Sequence, residues 1–143
     1  MSLKMIDLHT HSIFSDGELI PFELLRRVEA MGYGALAITD HADTSNLKEI
    51  LEAIKKAAKS WNGMNSHPKL IPGIELTHIP PSLIKSLVED ARNLGAKVIV
   101  VHGETLVEPV APGTNMAALN TDIDILAHPG LITEEEVILA KER

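Results

Sequence analysis

Two histidines near the start of the chain, His9 and His11, lie two positions apart at the end of an apolar segment. In a β-strand, side chains at positions i and i+2 point to the same face of the sheet. Two imidazoles on one face at a strand end form a suitable pair of metal ligands. A Ser-Asp-Gly turn follows and adds a nearby carboxylate, Asp16. This stretch predicts a metal site whose other ligands come from elsewhere in the chain.

The remaining sequence indicates strands that alternate with helices. Short apolar segments predict five strands, at residues 4–9, 35–39, 70–76, 97–101 and 124–127. We expect Pro72-Gly73 to break the third of these strands. Helical periodicity and capping residues predict helices that begin at Pro21, at Ser45 or Asn46, at Pro80-Pro81 and at Thr133, with a short one near 115–119. Thr133 and Glu136 predict a capping box at the start of the last helix. This alternation indicates parallel strands joined by crossover helices.

Both a doubly wound open sheet and a closed barrel fit this order of elements. The potential ligands favour the barrel, because each predicted strand ends in one of them: His9, His41, Glu75, His102 and His128. An open sheet would spread five strand ends across tens of Å, at about 4.8 Å per strand. In a barrel they converge on one mouth. We therefore predict an α/β fold, a TIM-like barrel with about five βα units in this chain.

Composition limits the classes of partner. Thirteen Lys and Arg residues against twenty Asp and Glu residues give a formal net charge of −7, which disfavours general binding to nucleic acid or to an anionic membrane. The absence of cysteine excludes thiolate metal sites and disulfides and is compatible with a reducing cytoplasm. No apolar run approaches the length of a membrane span. We expect a cytoplasmic protein without a membrane partner.

Histidine and carboxylate ligands without thiolates suit zinc, manganese or iron with open coordination positions. Two or three such ions close together lower the pKa of bound water and neutralise phosphate oxygens. Glu75, with two carboxylate oxygens, is suited to bridge two ions. No serine or cysteine nucleophile is needed. The pattern therefore indicates hydrolysis by a metal-activated hydroxide.

The ligand motifs resemble, in order along nearly the whole chain, those of the PHP (polymerase and histidinol phosphatase) family. They are His9-x-His11 with Ser15-Asp16-Gly17, Thr39-Asp40-His41, Gly73-Ile74-Glu75, Val101-His102-Gly103 and Ala127-His128-Pro129-Gly130. The resemblance implies a distorted (β/α)7 barrel with two or three divalent metal ions. The family's last motif, Asp-x-His, does not occur before Arg143. We expect residues 1–143 to be a single PHP domain that lacks its C-terminal part.

The resemblance also implies how the metals share their ligands. His9, His11 and Glu75 would bind the first metal. Glu75 would bridge to the second, which His102 and His128 would also bind.

Asp16 and His41 would bind the third metal and serve catalysis there. Asp7 and Asp40 flank ligands, so they are expected either to orient imidazole N–H groups or to make capping or loop hydrogen bonds.

Three residues just after strand ends are candidates for contact with substrate. His78 follows Glu75 by three positions and would contact substrate or cap a loop. Glu104 and Thr105 follow His102 and would line the pocket, where Glu104 is suited to a cationic substrate group.

We expect a metal-dependent phosphoesterase that hydrolyses a small phosphomonoester, in the manner of a histidinol phosphatase. The alternatives are a nucleotide or oligonucleotide phosphoesterase, an RNA- or protein-binding barrel like that of an RNase P subunit, and an amide hydrolase. Acidic charge and scarce aromatic residues disfavour long nucleic acid as a partner. Oligomerisation would cover an open barrel edge.

Overall fold

A computed structural model of the chain describes residues 4–64 and 67–143. The strands are β1 (Ile6–Thr10), β2 (Ala35–Ile38), β3 (His41–Ala42), β4 (Lys69–Leu76), β5 (Val98–His102) and β6 (Ile125–Ala127). The helices are α1 (Pro21–Ala30), α2 (Leu47–Gly63), α3 (Pro81–Asn93), α4 (Thr114–Leu119) and α5 (Glu134–Lys141). The predicted alternation of strands and helices is confirmed. No helix in these ranges combines the length and apolarity needed to cross a bilayer.

The sheet is parallel, and its strands lie in the order β1-β2-β4-β5-β6 with β3 beside β4. Apart from the two-residue strand β3, which pairs with β4 and not with β2, the strands follow one another across the sheet in sequence order. The sheet lacks the reversal of order that defines a doubly wound fold. The sheet curls into a half-barrel, which is consistent with a partial TIM-like barrel. The barrel prediction is confirmed. As a result, the C-terminal ends of these strands lie along one rim.

The prediction that Pro72-Gly73 breaks the third strand is wrong, because β4 continues through both residues. Pro72 pairs with the last residue of β2, and the register with β5 begins only at Gly73. Pro72 therefore lies where β4 passes from one neighbour to the other, and its carbonyl accepts the N–H of Lys97 at 2.8 Å. A side chain at Gly73 would lie 2.7 Å from the carbonyl oxygen of Val98, so this position requires glycine.

The helices pack an apolar face on the sheet, and α2 shows this most clearly. One face of α2 is buried, with Leu47, Ile50, Leu51, Ile54, Ala58 and Trp61 in the core. Asn46 occupies the N-cap position, but its side chain accepts the N–H of Asp43 at 2.9 Å and does not cap α2. At α5 the predicted capping box is confirmed: Thr133 and Glu136 bond each other's backbone N–H groups.

Candidate metal centre

The side chain of Glu75 lies in the middle of the candidate centre. It lies on β4, beside His41 of β3 and Val100 of β5, and its side chain is 0% exposed. Its Oε2 lies 2.9 Å from Nε2 of His9 and 3.0 Å from Nε2 of His11. The strand order therefore brings ligands from β1 and its following loop onto a carboxylate of β4.

The second carboxylate oxygen of Glu75, Oε1, differs from Oε2 in its surroundings. Oε1 is buried and makes no hydrogen bond with the described residues. Leaving a buried acceptor unpaired costs about 1–3 kcal/mol, and more for a charged group. A cation beside Oε1 would remove this cost, so the carboxylate fits the role of a metal ligand.

Protonation of a histidine balances the charge of Glu75. Burial alone would raise the pKa of Glu75, but hydrogen bonds from His11 and His9 lower that pKa to about 2. The pKa of His11 rises to about 9, chiefly because of its hydrogen bond to Glu75. Glu75 is therefore negative and His11 positive at neutral pH. A proton on His11 supplies the positive charge that a metal ion would bring.

A second set of ligands joins this one through His11. Nδ1 of His11 lies 2.6 Å from Oδ1 of Asp16, while its Nε2 faces Glu75. Nε2 of His41 lies 3.4 Å from Oδ2 of Asp16. The hydrogen bond from His11 lowers the pKa of Asp16, and burial lowers the pKa of His41. Carboxylate and neutral imidazole are thus both available here.

There are two groups of three side chains in which the ligand atoms of each group lie within 4.8 Å of one another. They are His9, Glu75 and His128, and His11, Asp16 and His41. The resemblance implies that His11 shares the metal of His9 and Glu75, and the 3.0 Å between Nε2 of His11 and Oε2 of Glu75 fits that sharing as well. Because the two nitrogens of His11 face different groups, its ring can bind in either one.

His102 lies beside His128 on the other side of the centre. The two ring centroids are 5.2 Å apart, and His102 is only 5% exposed. Nδ1 of His102 lies 3.1 Å from the carbonyl oxygen of Gly103. A donor bond from Nδ1 to this oxygen leaves the lone pair on Nε2 for a metal. The structure thus brings together all seven predicted ligands: His9, His11, Asp16, His41, Glu75, His102 and His128.

The carboxylates of Asp7 and Asp40 make hydrogen bonds within loops and strands. Oδ1 of Asp7 accepts the backbone N–H of His9 at 3.1 Å. Asp40 is fully buried, and it accepts the N–H and Oγ–H of Ser12 and the Oγ–H of Ser15, each at 2.7 Å. In the described residues, these bonds correspond to the loop alternative and not to an imidazole contact. Asp40 thereby positions the turn that carries Asp16.

The three predicted substrate contacts lie at or near the cleft beside the centre. Oε1 of Glu104 accepts the N–H groups of Gly113 and Asn115, at 2.9 and 3.0 Å, so this oxygen ties a loop together. Thr105 lines the cleft, and its Oγ1 accepts two backbone N–H groups of the same loop. Nε2 of His78 lies 3.1 Å from Oε2 of Glu108.

Sequence reasoning missed two contacts of the centre, Thr77 and Glu108. The Oγ1 of Thr77 bonds Nδ1 of His41 and turns Nε2 of that ring toward Asp16. Thr77 lies two positions after Glu75, a spacing that places it on the same face of an extended segment and that could have indicated it. Glu108 lies in an irregular loop, where no periodicity indicates direction.

The cleft has a volume of about 370 Å³. It is lined by His11, Asp16, His41, His102, Thr105, Val107, Glu108 and His128. Among the described residues that line it, none is lysine or arginine. An anionic ligand in this cleft would therefore need positive charge from bound metal ions or from protonated histidines.

Comparison with known proteins agrees with this fold. A family model described as PHP domain matches residues 7–141. An uncharacterized protein of Methanocaldococcus jannaschii is 50% identical over 141 residues, which cover 95% of this chain and 63% of that protein. The residues that the family model matches span the candidate centre, from His9 to His128.

Two other relatives carry names that state an activity. The 5'-3' exoribonuclease Rnm of Salmonella typhimurium is 38% identical over 73 residues, 51% of this chain and 22% of that enzyme. The 3',5'-nucleoside bisphosphate phosphatase of Chromobacterium violaceum is 35% identical over 107 residues, 65% of this chain and 38% of that enzyme. The chain spans less than two thirds of the length of each of these three relatives.

Proposed function

We propose that this chain, which belongs to the PHP domain family, is a metal-dependent phosphoesterase that hydrolyses a small phosphomonoester. The observation that carries the proposal is the buried carboxylate of Glu75. One of its oxygens contacts His9 and His11, and the other is buried without a partner among residues 4–64 and 67–143. Such a carboxylate among converging imidazoles is suited to bind metal.

The residues present fit two metal positions. His9, Glu75 and His128 would hold one ion, and His11, Asp16 and His41 would hold another. These nitrogen and oxygen donors suit zinc, manganese or iron. Bound metal supplies a hydroxide nucleophile near neutral pH and positive charge for phosphate oxygens.

The chain's own residues orient these donors. Thr77 fixes the ring of His41, and the Gly103 carbonyl fixes the ring of His102. Asp40 anchors the turn that presents Asp16, which is well exposed and therefore accessible to substrate. Rigid support of this kind keeps ligands in position before substrate arrives.

The cleft favours a compact, highly charged substrate. A phosphomonoester is a dianion near neutral pH, and the cleft offers it no lysine or arginine among the described residues. Its charge would therefore be balanced by metal ions, or by protonated histidines such as His11. A volume of about 370 Å³ is at the lower end of ligand sites, which run from about 300 to 1,000 Å³. Both features support a small phosphorylated substrate.

A nucleotide or the end of an oligonucleotide is the second candidate substrate. The names of the relatives from Salmonella typhimurium and Chromobacterium violaceum favour it. The net charge of −7 disfavours extended contact with a nucleic-acid backbone. A purely RNA- or protein-binding role would not require converging imidazoles around a buried carboxylate. A cytoplasmic location and oligomerisation stay predictions.

The test is a phosphatase screen of the full-length protein with added manganese or zinc. Substrates are an aryl phosphate, histidinol phosphate, nucleoside bisphosphates and short oligonucleotides. We expect metal-dependent release of phosphate, lost in the His9→Ala/His11→Ala double variant and kept in Glu52→Gln, whose side chain is 62% exposed on α2. The proposal fails if no substrate is hydrolysed, or if the double variant keeps wild-type activity.

A further inference from the structure

The loop between β5 and α4, residues 103–113, brings a carboxylate to the centre that neither motif nor family resemblance indicated. Oε2 of Glu108 lies 3.3 Å from Nε2 of His102 and 3.1 Å from Nε2 of His78. The side chain of Glu108 is 45% exposed and lines the cleft. It is thus accessible from solvent while contacting a nearly buried histidine.

The distance between Glu108 and His102 is the one expected for two ligands of a single metal ion. Ligand atoms about 2.1 Å from a metal, at angles of about 90–109°, lie about 3.0–3.4 Å apart. The contacts of Glu75 with His9 and His11 are similar, at 2.9 and 3.0 Å. The distance from Glu108 to His102 is therefore similar to the distances from Glu75 to His9 and His11.

The nitrogen of His102 that faces Glu108 is the one free to bind metal. Its Nδ1 lies 3.1 Å from the carbonyl oxygen of Gly103, which accepts a hydrogen bond from a protonated Nδ1. In that tautomer Nε2 carries the lone pair. In that tautomer the lone pair and the carboxylate oxygen, 3.3 Å apart, do not hydrogen-bond each other, and a metal ion can bind both. A proton on Nε2 would join the same two atoms, and the metal titration below distinguishes the two cases.

The backbone at His78 supports a role for its side chain. His78 and His128 have φ angles of 55° and 51°, and they are the non-glycine residues with positive φ in the described ranges. Such conformations cluster at functional sites, where surrounding structure maintains them. His128 is a predicted ligand, and His78 contacts Glu108. A ligating carboxylate is commonly held by a further hydrogen bond, which His78 can donate.

Hydrogen bonds hold the loop in this position. Oγ1 of Thr105 accepts the N–H groups of Val107 and Glu108, both at 3.1 Å. Glu104 accepts two N–H groups at the far end of the loop. The position of Glu108 is therefore built into the loop and not left to a flexible side chain alone.

We propose that Glu108 is a further metal ligand and that His78 orients its carboxylate. Glu108 would bind, together with His102, the ion held by His9, Glu75 and His128, because the rings of His102 and His128 are adjacent, with centroids 5.2 Å apart. This inference rests on the proposed function, because it requires a metal at His102. It adds to the centre a ligand carried by a loop, whereas most of the other ligands lie at strand ends.

The test is calorimetric titration of the metal-free full-length protein with manganese, for wild type and for Glu108→Gln. We expect the variant to lose about tenfold or more in affinity at one metal position, with the other position unchanged. His78→Ala should produce a smaller loss at that same position. Glu52→Gln is the matched control, with the same change of charge on α2, and should titrate like wild type. X-ray absorption of the zinc-loaded protein should show one oxygen or nitrogen ligand fewer in Glu108→Gln.

The outcomes separate this proposal from the proposed function. If wild type binds metal and Glu108→Gln binds it with the same affinity and ligand number, this proposal is overturned and the proposed function stands. If wild type binds no divalent metal, both are overturned. Circular dichroism of Glu108→Gln should match wild type, because the side chain is exposed on a loop.

Discussion

Glu75 and Glu108 both contact histidines of the centre, but the fold positions them in opposite ways. Glu75 is 0% exposed on β4, with strands on both sides. Glu108 is 45% exposed on a loop that hydrogen bonds to itself. A strand end sets the direction of its side chain through the sheet, whereas a loop sets it through a few local bonds. The comparison predicts that ligands on strands determine whether metal binds, whereas ligands on loops change the metal affinity by a smaller amount.

The largest effect should come from Glu75→Gln. The amide removes the negative charge that the imidazoles of His9 and His11 contact, so we expect loss of metal binding and of hydrolysis. We also expect the metal-free protein to lose about 1–3 kcal/mol of unfolding free energy, since buried hydrogen bonds are disrupted. Metal titration and urea unfolding measure both. A metal affinity within threefold of wild type would contradict the prediction that ligands on strands determine whether metal binds.

The next effect concerns pH. The pKa of His11 is about 9 in the metal-free protein, above its usual 6.5, so the ring holds a proton at pH 7–8 that a metal must displace. Metal affinity should therefore rise with pH, by up to about tenfold per unit below pH 9, and level off above it. Calorimetry in buffers of different ionisation enthalpy should show release of about one proton. Affinity independent of pH between 7 and 9 would contradict this.

Asp40→Asn tests how a buried carboxylate supports a loop-borne ligand. Asp40 accepts bonds from Ser12 and Ser15, and an amide nitrogen cannot replace an acceptor oxygen. We expect a loss of about 1–3 kcal/mol in unfolding free energy and weaker metal binding at Asp16 and His41. Asp7→Asn is the control, because its retained oxygen can still accept the N–H of His9. Equal stability of the two variants would count against the role given to Asp40.

The smallest effect should come from Glu104→Ala. This change removes the acceptor that ties Gly113 and Asn115 to the loop, at a cost of about 0.5–1.5 kcal/mol per hydrogen bond. A looser loop should weaken the metal position of His102 less than Glu108→Gln does. Thermal unfolding and manganese titration measure the two effects. A metal affinity lower than that of Glu108→Gln would show that Glu104 itself binds metal.

The sequence predicted the strand-borne part of the centre because strands impose simple rules. His9, Glu75, His102 and His128 each end an apolar segment, and a parallel sheet brings such ends to one rim. The barrel order and the capping box at Thr133 followed from patterns of the same kind. All of these depend on periodicity, which is visible in the residues alone.

The rest could not be predicted because it depends on the course of loops. The loop hydrogen bonds of Asp40 were one of two alternatives, and those of Glu104 were not predicted. Asp40 bonds residues 25 and 28 positions away, and Glu104 bonds residues 9 and 11 positions away across an irregular loop. Glu108 gave no signal for the same reason. The continuous path of β4 through Pro72 required knowledge of where its two neighbours begin and end.

The most direct test of the account is anomalous diffraction from crystals of the protein grown with manganese. We predict peaks in two positions, one among His9, Glu75 and His128 and one among His11, Asp16 and His41. If the protein binds manganese in solution but its crystals show no peak at either position, the assignment of the centre is contradicted.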